Sequence, residues 1–179
     1  MKWIAFFSMS GSEIVVVSQQ LGRYPDVVVT NRNTLEGVDQ QLLDAIDPNN
    51  LIMISNKPSV QDYITALDHM GVTRLNSLIT LHGYLRVIPA GVCKSFNIVN
   101  GHPGLITTYP ELKGKDPQAR AINHPIIGSV LHEVTAGVDE GPIIDVASCD
   151  NLYHTVDGVT QQLRQLSQAL WVKHLKNRL

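Results

Sequence analysis

Ser77-Leu78-Ile79-Thr80-Leu81, then His82-Gly83-Tyr84-Leu85-Arg86-Val87-Ile88-Pro89, then Phe96-Asn97-Ile98-Val99 is the stretch whose reading decides the fold. Its two ends are short apolar runs bounded by turn residues, the pattern of strands buried on both faces. A short segment over residues 89–95 leads from the first run to the second. Toward the N-terminus the pattern repeats. Leu51-Ile52-Met53-Ile54, Val27-Val28-Val29-Thr30 and Trp3-Ile4-Ala5-Phe6-Phe7 read as three further strands. Residues 59–70 read as a helix, capped by Ser59, with Val60, Tyr63, Ile64 and Leu67 on one face. Residues 38–46 have helix-compatible spacing. Residues 13–19 carry Ile14 and three valines, which favour a strand by propensity. Their position after the Gly-containing loop of the first strand favours a helix, and helix is the expectation, with tertiary context overriding propensity.

Strand–helix–strand alternation of this kind implies an α/β fold: an open, twisted, mostly parallel sheet with helices on both faces. Beyond residue 125 the pattern changes. Residues 128–134 and 142–147 read as two strands joined by a Gly-containing turn, which places antiparallel strands near the C-terminal end. Residues 157–179 read as a long helix with Val159, Leu163, Leu166, Leu170 and Val172 turned toward the sheet. There is no internal repeat and no Pro/Gly/Ser-rich linker, so residues 1–179 are expected to form a single domain.

Composition narrows the function classes. A chain of 179 residues holds one well-cored domain, and 44% apolar with 17% charged residues is ordinary for a globular protein. The net charge of −2, with no run of Lys or Arg, gives no footprint for nucleic acid. Cys93 and Cys149 are too few to staple the fold and suit a reducing compartment. The apolar start ends at Ser8, short of the roughly 7–15 residues of a signal-peptide core, and nothing approaches the ~20 apolar residues of a membrane span. The expectation is a cytoplasmic protein that needs no membrane; a homodimer is left open.

The chemistry concentrates in Val99-Asn100-Gly101-His102-Pro103-Gly104. In an open parallel sheet, sites form at the C-terminal ends of strands. At i, i+2 spacing there, the Asn100 amide and the His102 imidazole project to one side. Taken alone, the two are about as well explained as residues that satisfy turn backbone. A second group, Gly128-Ser129-Val130-Leu131-His132 followed by Val138-Asp139-Glu140-Gly141-Pro142-Ile143, adds an imidazole and a carboxylate. No His-x-x-x-His or Cys-x-x-Cys spacing marks a metal site. The loop Ser10-Gly11-Ser12 lacks the other glycines of a dinucleotide fingerprint, and no Gly-x-Ser-x-Gly elbow points to a serine hydrolase.

In order along the chain, Leu81 to Pro89, Asn100-x-His102, Gly128-Ser129-Val130-Leu131-His132 and Asp139-x-Gly141 resemble the folate-dependent formyltransferase superfamily. Its members include the glycinamide ribonucleotide and methionyl-tRNA formyltransferases, sugar N-formyltransferases and formyltetrahydrofolate hydrolases. The resemblance implies a Rossmann-like fold and an N-formyltransferase that uses 10-formyltetrahydrofolate as co-substrate and a small-molecule amine as partner. It implies that Asn100, His102 and Asp139 carry the reaction, with His132 supporting Asp139; a packed strand histidine is an equal reading of His132. It places the folate against Leu81, Gly83, Leu85, Arg86, Val87, Val138 and Asp139. The acceptor would lie against Ser10, Gly11, Ser12, Glu13, Pro103 and Gly104.

The departures from the family fall on the acceptor side. Glycinamide ribonucleotide enzymes have Ser-Gly-x-Gly-Ser-Asn in the first loop, where amides and the Asn help hold the substrate phosphate. Here the loop is Ser8-Met9-Ser10-Gly11-Ser12-Glu13, and a carboxylate there repels a phosphate unless it serves only as a helix N-terminal acid. The family's Pro-Ser-Leu-Leu-Pro becomes Pro103-Gly104-Leu105-Ile106-Thr107-Thr108-Tyr109-Pro110. The C-terminal β-barrel of methionyl-tRNA enzymes and the N-terminal regulatory domain of the hydrolases are not seen in the chain, so tRNA is not an expected substrate. A formyltetrahydrofolate hydrolase and a catalytically idle folate or nucleotide binder remain the alternatives.

Overall fold

Strands buried on both faces have to be apolar at every position, and β1 (Lys2–Phe7) meets this with Trp3, Ile4, Ala5, Phe6 and Phe7, all at most 2% exposed. The computed structural model describes residues 1–179. After β1 come α1 (Ser12–Leu21), β2 (Val27–Thr30), α2 (Gln40–Ala45), β3 (Leu51–Met53), α3 (Val60–His69), β4 (Ser77–Leu81) and α4 (Ala90–Ser95). The second half holds β5 (Ile98–His102), α5 (Pro117–Arg120), β6 (Ile126–Glu133), β7 (Ile143–Asp150) and α6 (Val156–Lys176). The seven strands lie in the order β3-β2-β1-β4-β5-β6-β7. β1 to β5 are parallel; β6 and β7 are antiparallel to their neighbours.

From β1 the chain winds outward through β2 and β3, then returns to place β4 on the other side of β1. The strand order therefore reverses between β1 and β4, and the crevice at their C-terminal ends is a topological switch point. One face of the sheet packs on α1 and α6 through Ala5, Phe7, Val28, Val99, Leu131, Ile14, Val17, Trp171 and Leu175. The other packs on α3 and α4 through Ile4, Phe6, Val29, Ile79, Leu81, Ile98, Tyr63, Leu67 and Val92. A third cluster, with Ile106, Leu112 and Ala121, lies under the long connection from β5 to β6 and reaches α6 through Val159 and Leu163.

Residues 12–21 are helical despite their valines because Ile14, Val15 and Val17 are spaced to fill the core between α1 and the sheet. Gly11 opens this helix at φ 75°, and a Cβ there would lie 2.6 Å from Leu42 Cδ2. Ser59 caps α3 in a reciprocal capping box with Asp62.

Among the differences from the sequence expectation, one strand boundary and one helix face bear on the site. The fifth strand is not 96–99 but Ile98–His102, so Asn100, Gly101 and His102 are strand residues rather than turn residues. Asn100 is held extended from both sides, by Leu81 and His132, and Gly101 and His102 by Leu131 and Val130 of β6. In α6, Leu166 and Val172 are only half-buried, while Ser167, Trp171, His174 and Leu175 take the buried stripe beside Val159, Leu163 and Leu170.

Candidate functional site

Because β5 continues through Asn100 and His102, strand alternation sends both side chains to one face and Gly101 to the other. β6 runs antiparallel beside it with His132 directly opposite Asn100. The connection from β6 to β7 then folds back over this face, and three features fix its path. A Cβ on Gly141 would stand 1.7 Å from the Glu133 carbonyl oxygen, so only glycine fits there. The Glu133 N–H donates to the Pro142 carbonyl. Asp139 takes φ 53°, a left-handed conformation that Asp tolerates better than most residues.

Folded in this way, Asp139 meets every other member of the predicted catalytic set. Its Oδ2 accepts from the Gly114 N–H at 2.9 Å and lies 3.2 Å from His102 Nδ1. Oδ1 lies 3.3 Å from His132 Nε2 and 3.5 Å from Asn100 Nδ2. Burial works against the carboxylate charge, but the His132, His102 and Gly114 contacts together hold its pKa below the usual carboxylate range.

His102 is 5% exposed, and its two nitrogens face two acceptors: the Leu112 carbonyl 2.9 Å from Nε2 and Asp139 at Nδ1. A neutral ring can donate to one of them only; a protonated ring satisfies both. Burial nevertheless dominates and pushes the His102 pKa down, against the upward pull of Asp139 and the Leu112 carbonyl. Two acceptors thus face a ring whose burial disfavours its charged form. On β6, His132 Nδ1 lies 2.8 Å from the Glu133 carbonyl, and Nε2 sits between the Asn100 amide nitrogen at 3.2 Å and Asp139 Oδ1 at 3.3 Å.

Gly114 and Leu112 carry polar backbone contacts that the sequence reading missed. The only signal was Lys113-Gly114-Lys115, where a glycine interrupts the connection from β5 to β6.

The residues assigned to the folate fall into exposed, buried and hydrogen-bonded positions. Leu85, Val87 and Val138 are large apolar side chains left 61%, 65% and 50% exposed. Gly83 is at φ 61°, and the Leu85 N–H is taken by Ser8 Oγ at 2.8 Å. Leu81 is buried in the core. Arg86 is tied to the Asn56 carbonyl at 2.7 Å and to the Asn56 side chain. It lines a polar cavity of about 280 Å³ with Ser8, Asn31, Arg32, Asn33, Asn56 and Leu85. The cavity touches none of Asn100, His102, His132 and Asp139.

The residues assigned to the acceptor are placed less uniformly. Ser10 and Ser12 are bonded to each other at the exposed start of α1. Glu13 turns inward, with Oε2 2.9 Å from His82 Nδ1 and Oε1 accepting from Ser167 Oγ at 2.7 Å. Gly104 is buried against the His102 ring, where a Cβ would come within 2.9 Å of Nε2, and Pro103 is half-buried beside it.

A carboxylate joined to two imidazoles and an amide thus gathers on β5, β6 and the connection from β6 to β7. The chain belongs to the formyl transferase family, whose model matches residues 4–175. It is 29% identical over 105 residues to a phosphoribosylglycinamide formyltransferase of Bacillus subtilis, covering 57% of this chain and 53% of that protein. It is 32% identical over 114 residues to a formyltetrahydrofolate deformylase of Synechocystis, covering 57% of this chain and 38% of the relative. The matched stretches thus span about half or less of these relatives. Among solved structures, the phosphoribosylglycinamide formyltransferase of Anaplasma phagocytophilum superposes with a TM-score of 0.80 at 22% identity, covering 98% of this chain and 85% of that one. A formyltetrahydrofolate deformylase of Pseudomonas putida superposes at 0.71 and 21% identity, covering 99% and 66%. The fold is therefore shared with both kinds of protein. No helix of the chain is long and apolar enough to cross a membrane.

Proposed function

We propose that this protein transfers a formyl group from 10-formyltetrahydrofolate to the amine of a small molecule, with Asn100, His102 and Asp139 as its catalytic residues and His132 orienting them. The observation that carries the reading is the meeting of the other three side chains within 3.5 Å of Asp139. Exposed Leu85, Val87 and Val138 fit the flat, apolar faces of a folate ring. The donor supplies the electrophilic formyl carbon.

The Asn100 amide nitrogen lies 3.2 Å from His132 Nε2 and makes only a long contact of 3.5 Å to Asp139, which leaves it an N–H. That N–H is free to stabilise the oxyanion that forms when the amine nitrogen adds to the formyl carbon, an effect worth roughly 2.7–4 kcal/mol per donor. His102 and Asp139 act as one acid–base pair. The pair accepts the proton that the amine nitrogen loses, and a proton on His102 is stabilised by Asp139 on one side and the Leu112 carbonyl on the other. It then delivers a proton to the leaving folate nitrogen as the carbon–nitrogen bond breaks.

Hydrolysis is the second reading, because the same pair can take a proton from water and the chain is also 32% identical over 114 residues to a formyltetrahydrofolate deformylase. Consumption of 10-formyltetrahydrofolate with and without a panel of amines tests both. Amine-dependent release of tetrahydrofolate with formylated product is the expected result. Formate release that no amine alters would replace transfer by hydrolysis, and no consumption under any condition would overturn both. A cytoplasmic location and a homodimer are carried as proposals with this reading.

A further inference from the structure

Behind β5, on the face opposite Asn100 and His102, lies a second buried polar cluster that the chemistry above does not use. Its centre is His82, which follows Leu81 at the end of β4. Leu81 pairs with Asn100, so His82 comes level with Gly101. The His82 ring is bonded at Nδ1 to Glu13 of α1 and at Nε2 to Thr80 Oγ1, 2.9 Å each. Thr80 Oγ1 also accepts from the Trp3 indole N–H at 2.8 Å. Glu13 in turn accepts from Ser167 of α6. Burial opposes the charge on Glu13, yet the bonds from His82 and Ser167 hold its pKa below the usual carboxylate range.

The cluster ends on the strand that carries the reaction. Trp171 of α6 is fully buried and lies against His82, with ring centroids 4.5 Å apart. Its indole fills the space over Gly101: a Cβ there would stand 2.8 Å from Nε1 and 3.1 Å from both Cε2 and Cζ2. The one residue between Asn100 and His102 is thus pressed directly by a large rigid ring. That ring is carried by α6 and packed against His82 at the end of β4, elements far apart in the chain.

We propose that Glu13, His82 and Trp171 are positioning residues, a buttress that sets the height of β5 at Gly101 and so the placement of Asn100 and His102. This inference rests on the formyl-transfer or hydrolysis reading for its kinetic test and on the structure alone for its spectroscopic one. A strand free to sag at Gly101 moves both side chains at once, and displacements near 1 Å cost about a hundredfold in rate.

The test uses the full chain with Gly101→Ala, Trp171→Phe, the double variant, Glu13→Ala and Glu13→Gln. Each is shown to be folded by near-ultraviolet circular dichroism and assayed well below its unfolding temperature. Gly101→Ala crowds the indole, and Trp171→Phe removes its support; each is expected to lower kcat about ten- to hundredfold, with KM for the folate within about threefold of wild type. In the double variant the smaller ring makes room for the new methyl group, so it recovers part of the loss seen in Gly101→Ala. Glu13→Gln, which keeps the shape and the bond from Ser167, loses less than Glu13→Ala. The His102 imidazole signals in NMR are expected to move in each low-kcat variant. Unchanged kcat and unchanged His102 signals in folded Trp171→Phe and Glu13→Ala would overturn the buttress. A wild-type protein that consumes no formyl-folate would refute the functional reading instead, and the His102 signals would still decide the inference. If Gly101→Ala does not fold, the Glu13 pair and Trp171→Phe carry the test.

Discussion

Replacing Asp139 with Asn is the most informative single change at the site, because it removes the charge and keeps the shape. The amide oxygen can still accept from the Gly114 N–H, now 2.9 Å from Oδ2, and the amide nitrogen can donate to His132 Nε2, now 3.3 Å from Oδ1. The connection from β6 to β7 should therefore stay in place, with stability within about 1 kcal/mol of wild type. A protonated His102 loses its anionic partner at 3.2 Å. A hydrogen bond to a charged group is worth about 1.5–3 kcal/mol net, and about 1.4 kcal/mol is tenfold in rate, so kcat/KM should fall roughly 10- to 150-fold. The sign of the pH effect follows as well. Burial lowers the His102 pKa and Asp139 is the first of the groups that oppose it, so removing the carboxylate lowers that pKa further. A group that must be neutral to accept a proton loses activity as pH falls through its pKa. The acidic limb of the kcat/KM profile should move to lower pH, with the same displacement in the His102 titration followed by NMR. A variant within about twofold of wild type in kcat/KM, or a His102 midpoint that stays or rises, would refute the paired acid–base role.

Gly141→Ala places a methyl group in the Glu133 carbonyl, so the connection bearing Asp139 has to move; kcat should fall at least as far as in Asp139→Asn, and thermal unfolding should show a lower Tm than that variant. Ser59→Ala removes the cap of α3, remote from Asp139, and should cost about 0.5–2 kcal/mol in urea unfolding while kcat/KM stays at the wild-type value. Acid should destabilise the fold in two windows. His102 has its folded pKa depressed, so its contribution is complete above the usual value of 6.5 and is lost as pH falls from there toward the folded value. Glu13 and Asp139 are likewise depressed, and theirs is complete above 4.5 and 3.8 and is lost as pH falls through their folded values. Tm measured from neutral to acid pH checks this, and His102→Gln should remove the upper window; a wild-type Tm flat across it would contradict the reading.

The sheet was legible because parallel strands buried on both faces leave a simple trace: the apolar runs at 27–30 and 77–81 coincide with β2 and β4. The site residues were legible as residue types, whereas their local structure was not. Asn100, Gly101 and His102 have the propensities of a turn, and only pairing with β4 on one side and β6 on the other keeps them extended. That is where local preference and tertiary demand disagree, and such conflicts gather at functional positions. The α6 stripe was misjudged for a related reason. Apolar spacing picks out Leu166 and Val172, but Ser167 and Trp171 face inward to serve Glu13, His82 and Gly101.

Glu13 shows most clearly what a sequence alone conceals. Read along the chain, it is a charge in the first loop, either facing the acceptor or favouring the N-terminus of α1. Read in three dimensions, it is one end of a chain of contacts from α1 through His82 and Trp171 to the backbone between Asn100 and His102. The two readings differ in consequence. A carboxylate facing the acceptor would set substrate charge preference and be felt mainly in the acceptor KM. A carboxylate bonded to His82 and Ser167 has both oxygens engaged, so it acts on placement and is felt in kcat for any acceptor. Glu13→Ala assayed with amines of different charge separates the two. A uniform loss of kcat across the panel supports the inward role. A loss confined to KM of cationic amines would return Glu13 to the acceptor site and leave the support of β5 to Trp171 and the core around it.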